Sequence, residues 1–192
     1  HGRDQMEAHL AAVPQVHVSV EEPEALGTAG ALGALRDWLQ GDSVLVVNAD
    51  TVHDADLIDF VDGWDGDRVR VLTTTSGAFG PQSTVVASLL PATAAAALQP
   101  VASGLWEVVW REGVARGRID AAHHRGWCID AGTAAGYLAA NLAVSGGQSV
   151  IGAGATVAGS LERSLVWPGS VVAVGEHLRS AIRAESLTVL VR

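Results

Sequence analysis

Two stretches far apart in the chain end alike. "VLVVNADT", residues 44–51, runs an apolar segment into Asp50, and "GWCIDAGTAAGY", residues 126–137, runs a shorter one into Asp130. Each aspartate falls at the carboxyl end of a predicted strand, which is where open α/β sheets bind their ligands. Mg²⁺ prefers one or two carboxylates together with phosphate oxygens. The pair therefore predicts one shared metal at a site that handles phosphates. Aspartate beside small residues is also ordinary turn and capping chemistry, so each keeps a purely local alternative.

A third stretch, "EALGTAGALGAL", residues 24–35, places Gly27 and Gly30 at the mouth of a predicted helix, just after Glu21 and Glu22. Backbone N–H groups at a helix start, aided by its dipole, favour an anion. The competing reading is a tight turn in which both glycines supply positive φ. His123, His124 and Cys128 invite a zinc site, but no second ligand group accompanies them, so a surface loop is the expectation.

The elements that must position these residues follow from periodicity. Met6, Leu10 and Val13 recur at helical spacing and Pro14 ends that segment. Val16, Val18 and Val20 alternate with polar residues, predicting a strand with one buried face. Leu32, Leu35, Trp38 and Leu39 form a helical stripe ending at Gly41, and the unbroken run Val44–Val47 predicts a strand buried on both faces. Leu57, Phe60, Val61 and Trp64 predict a helix with Asp54 as its N-cap, and "RVRVLTT" a strand. "STVVASLL" is a predicted strand, Pro91 opens a helix, "SGLWEVVWREGVARGRI" is helix then turn, and "AGTAAGYLAANLAVSGG" is a helix closing at glycines. Strands alternating with helices predict a mostly parallel, doubly wound sheet over residues 1–146. Most of the six tryptophans sit among aliphatics and read as core.

Residues 147–192 have another rhythm. Ile151 and Val157, then Val166, Val172, Leu178, Ala184 and Leu190, recur every six residues, the period of parallel β-helix coils. About two such coils need a neighbouring surface to close them, and Trp167 is placed to plug them against the first part.

The chain has 192 residues, 48% hydrophobic, with mean hydropathy +0.27. A domain of this length buries roughly 70% of its unfolded surface. Net charge is −9 and the pI about 5.1, which argues against nucleic acid or an anionic membrane as partner. Every basic residue is arginine, and the single cysteine excludes an internal disulfide. No stretch reads as a membrane span or a signal peptide, so a cytoplasmic protein is the expectation.

Taken in order, "EEPEALGTAGAL", "VLVVNAD", "CIDAGTAAGYLAA" and the hexad tail resemble the sugar-1-phosphate nucleotidyltransferases, especially the mannose-1-phosphate guanylyltransferase-like branch with a left-handed β-helix tail. The resemblance implies a Rossmann-like α/β sheet and transfer of a nucleotidyl group from a nucleoside triphosphate to a sugar 1-phosphate, releasing pyrophosphate with Mg²⁺ as cofactor. It implies that Asp50 and Asp130 hold the metal and take part in catalysis. Leu26, Gly27, Thr28, Ala29, Gly30 and Asn48 would contact the nucleotide, and Glu22 would read the base. A carboxylate at Glu22 suits guanine N1–H and its N2 amine, which favours GTP. Hexad tails of the family pack on the core or on another subunit, so the resemblance allows a homodimer.

The chain departs from the family pattern at two places. It has no G-G-x-G-T-R-L loop, since "HGRDQMEAHLAAVPQVHVSV" starts about where the family's second strand has ended, and it has no lysine in an E-K-P context. The base-and-metal half is present and the phosphate cradle is absent, so this chain alone is expected to turn over slowly or not at all. A non-catalytic nucleotide or sugar-nucleotide binding homologue is the alternative. A hexapeptide acyltransferase built around His177 is disfavoured, because such enzymes need several coils and a trimer.

Overall fold

The structure, a computed structural model, describes residues 2–191. Helix α1, Arg3–Leu10, buries none of its residues and leads into an extended segment rather than a strand. The predicted strand at Val16–Val20 does not form, and Val16 and Val20 are exposed. Alternation makes a strand only where a neighbour completes the ladder and covers one face, and neither is present here among the described residues.

Helix α2, Gly27–Ala34, and the single turn α3, Arg36–Leu39, follow. Strand β1, Val44–Val46, leads to β2, Thr51–His53, and to helix α4, Leu57–Val61. The N-cap of α4 is Asp56, whose carboxylate accepts from the amides of Ile58 and Asp59; Asp54, the predicted cap, lies outside the turn. Strands β3, Val69–Thr73, and β4, Val85–Leu90, precede α5, Ala92–Ala97, which Pro91 opens as predicted. A π-helical turn, Trp106–Trp110, runs into α6, Arg111–Ala115. Strands β5, Ile119–His123, and β6, Cys128–Asp130, lead to α7, Ala134–Val144.

The principal sheet has the order β1-β4-β3-β5. Strands β3 and β5 pair parallel, while β4 pairs antiparallel with both β1 and β3. So β1, β3 and β5 share one direction and β4 runs against them from the middle. The predicted mostly parallel sheet is thus a mixed one. Direction follows from connections, and the β3–β4 connection is too short for the crossover that parallel neighbours need. Strand β1 is an edge: Leu45 and Val47 are 40% and 39% exposed, against the prediction of burial on both faces. Four apolar residues in a row give a strand no means of signalling which neighbour covers it.

The sheet's two faces carry separate cores. Phe60, Leu72, Ala87 and Leu89 pack under α4, and Ala29, Leu32, Leu90, Leu98 and Leu105 pack under α2 and the π-helical turn. Among the described residues no helix is long and apolar enough to cross a membrane.

The tail consists of strands β7 to β14: Val150–Ile151, Thr156–Val157, Ser160–Glu162, Leu165–Val166, Val171–Val172, His177–Arg179, Ala181–Ala184 and Leu187–Leu190. Three parallel ladders run through it: β7 beside β10 beside β13, β8 beside β11, and β9 beside β12. Val166, Val172 and Leu178, three residues of the period-six series, share a buried cluster with Ala181. The series lapses afterwards, because β13 and β14 form an antiparallel hairpin that leaves Leu190 exposed. Leu138 and Leu142 of α7 pack against Leu165 and Ile182, which joins the tail to the first part. Trp167 is half exposed and meets Tyr137 of α7 edge-on, ring centroids 6.4 Å apart.

Candidate active site

Strands β2 and β6 form a short antiparallel pair with Thr51 opposite Asp130. Asp50 stands one residue before β2, and its carbonyl accepts from the amide of Ala131 at 2.7 Å. This pairing brings the two sequence-distant aspartates side by side. Asp130 Oδ1 accepts from the amide of Gly132 at 2.7 Å. A Cβ added to Gly132 would stand 3.0 Å from Asp130 Oδ1 and 3.4 Å from Asp50 Oδ2, so both carboxylates close over that glycine. Thr133 caps α7 by accepting from the amide of Gly136 at 3.0 Å, and a side chain at 136 would strike the Asp130 carbonyl.

Both carboxylates line one cleft of about 450 Å³, together with Thr28, Asn48, Cys128 and the wall from Gly104 to Glu107. That volume falls within the range of small-molecule sites. Burial pushes the Cys128 thiol up, and the Asp130 charge adds to this. The lining contains the acids Asp50, Glu107 and Asp130 and no arginine.

Of the glycine segment, only Thr28 reaches the cleft. The amides of Ala29 and Gly30 donate to the Ser103 carbonyl at 3.1 and 3.4 Å, and Ser103 N–H donates to the Leu26 carbonyl at 2.8 Å. The helix start is therefore closed by a protein loop. Gly27 has φ +66°, as the turn reading expects, but Gly30 is helical, and its missing Cβ makes room for the Val101 carbonyl. Leu26, Gly27, Ala29 and Gly30 shape the wall behind Thr28.

Glu22 is not brought to the cleft. It is 70% exposed at its side chain and pairs with Arg3. The neighbouring Glu21 instead accepts from the Leu26 amide and anchors the turn. Sequence reading could not separate the two, since they are adjacent carboxylates in one acidic run.

His124, Cys128 and His123 do not cluster. His124 Nε2 meets Asp54 Oδ1 at 2.7 Å, and the same oxygen accepts from the Trp127 amide at 2.8 Å. Among the described residues no group of three or more His, Cys, Asp or Glu side chains could hold a metal. Two carboxylates on one cleft, with no third such ligand beside them among the described residues, suit Mg²⁺ completed by phosphate oxygens better than a metal held by protein alone.

No protein-family model matches the chain, and no curated protein matches it. Solved structures do. The chain resembles a protein named as a mannose-1-phosphate geranyltransferase from Thermus thermophilus, at 14% identity over 98% of this chain and 77% of that one, with a TM-score of 0.64. It also resembles a protein named as a glucose-1-phosphate thymidylyltransferase from Bacillus anthracis, solved with sucrose, at 18% identity over 73% of this chain and 71% of that one, with a TM-score of 0.57. These two are sugar-1-phosphate transferases by name, and what the chain shares with them is their mixed α/β fold.

Proposed function

We propose that this site transfers a nucleotidyl group from a nucleoside triphosphate, with GTP favoured, to a sugar 1-phosphate. The observation that carries the reading is the convergence of Asp50 and Asp130 over Gly132 in a ligand-sized cleft. An oxygen of the sugar phosphate attacks the α-phosphorus in line. The new P–O bond forms as the bond to the bridging oxygen breaks, and pyrophosphate leaves with that electron pair. Asp50 and Asp130 would hold Mg²⁺, which when bound neutralises charge on the phosphates. Thr28 and Asn48 line the cleft beside Asp50 and would meet the nucleotide. Leu26, Gly27, Ala29 and Gly30 support that wall. The preference for GTP rests on the chemistry of Glu22, which would have to leave Arg3 to reach a base.

A cleft with three acids and no arginine favours a second reading, a homologue that binds a nucleotide or nucleotide sugar without chemistry. Developing charge on a transferring phosphate needs positioned donors, and their loss costs orders of magnitude in rate.

The three ladders of the tail fit two coils of a left-handed parallel β-helix, residues 147–192, set against a nucleotidyltransferase core, residues 1–146. A homodimer through this tail, checked by light scattering, and a cytoplasmic location complete the proposal.

The test is thermal stabilisation by GTP, dTTP, UTP and GDP-mannose with and without Mg²⁺, beside an assay of pyrophosphate release. A ligand at a hundred times its Kd adds about 2.7 kcal/mol. Mg²⁺-dependent stabilisation by GTP with pyrophosphate release supports transfer, and stabilisation without release supports the binding homologue. If no nucleotide stabilises the chain, both readings fall.

A further inference from the structure

We infer that Asp54, His124 and Gly126 form a clasp that positions the Asp50 and Asp130 carboxylates for Mg²⁺ from the far end of the two strands that carry them. This rests on the metal-dependent reading above, and none of the three residues lines the cleft. Strands β2 and β6 pair only with each other and stand outside the principal sheet. Their ladder runs from Thr51 opposite Asp130, through Val52 and Ile129, to His53 opposite Cys128. A two-stranded ribbon is marginally stable on its own. Cys128 rests on the cluster around Phe60 and Leu72, and beyond it the alignment of the two strands depends on how that end is closed.

Asp54 closes it. Its amide donates to the Trp127 carbonyl at 3.3 Å, which continues the ladder by one pair. Its Oδ1 accepts from the Trp127 amide at 2.8 Å and lies 2.7 Å from His124 Nε2. An ionised carboxylate only accepts, so Nε2 carries the proton. The His124 side chain is 15% exposed, and the contact is screened less than one between two surface groups. His124 is itself fixed to the principal sheet, because its amide donates to the Thr73 carbonyl at the end of β3, at 2.9 Å. One carboxylate thus ties the ribbon's two strands to each other and to the sheet.

Gly126 belongs to the same device. A Cβ there would stand 2.1 Å from Asp54 Oδ1 and 2.5 Å from His124 Nε2. Its φ lies outside the left-handed region, so the backbone does not call for glycine at this position. The close approach of carboxylate and imidazole does. Asp54 and His124 are therefore positioning residues: they act through the alignment of β2 and β6, at whose other end Asp50 and Asp130 meet over Gly132.

The experiment titrates Mg²⁺ against binding of the tightest-bound of GTP, dTTP and UTP, by calorimetry, and records the ligand-free Tm. The proteins are wild type, His124→Ala, His124→Gln and Gly126→Ala. Glutamine keeps an N–H donor for Asp54, and alanine at 126 displaces side-chain ends while leaving the backbone in place. His124→Ala and Gly126→Ala are expected to raise the half-saturating Mg²⁺ concentration about three- to thirtyfold, and His124→Gln to stay within about twofold of wild type. A merely structural contact lowers Tm and leaves the Mg²⁺ requirement where it was; that result in both His124→Ala and Gly126→Ala overturns the inference. So does a His124→Gln protein as impaired as His124→Ala. If wild type itself shows no Mg²⁺-dependent binding of any of the three nucleotides, the functional reading falls and the clasp with it. If wild type binds and the variants match it, the clasp alone falls.

Discussion

Asp50 Oδ2 and Asp130 Oδ1 converge on one point above Gly132, 3.4 and 3.0 Å from where a methyl group would sit there. Two carboxylates turned toward one point offer a divalent cation an oxygen each. The backbone enforces the approach: the Ala131 amide bonds the Asp50 carbonyl, and Thr51 faces Asp130 across the strand pair.

Replacing either aspartate by asparagine therefore separates ligand binding from stability. Asp50→Asn and Asp130→Asn should each weaken Mg²⁺-dependent nucleotide binding at least tenfold, by about the factor that supporting groups of metal sites contribute. The ligand-free Tm should stay level, since both side chains are exposed. Titration calorimetry with and without Mg²⁺ reads the first and a melting curve the second. A variant that binds as well as wild type would remove the pair from the site.

Gly30→Ala tests whether the glycine turn serves packing or a ligand. The added Cβ would lie 2.4 Å from the Val101 carbonyl oxygen, and backbone cannot swing aside as a flexible side chain can. Overpacking of this kind typically costs about 1–3 kcal/mol. Denaturant unfolding should show that loss even without ligand. A neutral result would mean that α2 stands off the 99–103 loop and that its amides are free.

Leu165 belongs to the cluster shared by α7 and the tail. Leu165→Ala should cost about 2–5 kcal/mol, and a loss of less than about 1 kcal/mol by denaturant titration would mean the tail packs loosely on α7.

Acid should weaken the fold through two carboxylates. The His124 hydrogen bond, with the Trp127 amide, holds Asp54 below the usual range. The Ala173 amide, then Arg183, does the same for Glu176. A depressed folded pKa means that the unfolded chain takes up the proton first, so this stability is complete only above about pH 5 and is lost as pH falls through the unfolded and then the folded values. Asp54→Asn and Glu176→Gln should each flatten the decline of Tm between about pH 5 and pH 2. Parallel wild-type and variant curves would assign the acid response to other groups.

Much of this was legible in advance, for identifiable reasons. Asp50 and Asp130 stood out because an apolar run ending in a carboxylate marks a strand end, and the structure joins those two ends. Pro91 marked a helix start because a missing N–H and a fixed φ are tolerated at a helix entrance and not in its interior. What stayed hidden depended on neighbours. The alternation of Val16, Val18 and Val20 could not say that no strand lies beside it, and the run Val44–Val47 could not say that one edge is open. The capping role went to Asp56, which directly precedes α4, while His124, seventy residues on, engages the Asp54 carboxylate.

Helix α7 has two jobs at once. Its first turn is seated on the Asp130 carbonyl through the bare face of Gly136, and its later turns, through Leu138 and Leu142, are gripped by the tail. The tail is therefore the abutment of the site and not an appendage hung from it. Leu138 and Leu142 thus tie the helix that starts beside Asp130 to the packing of the tail.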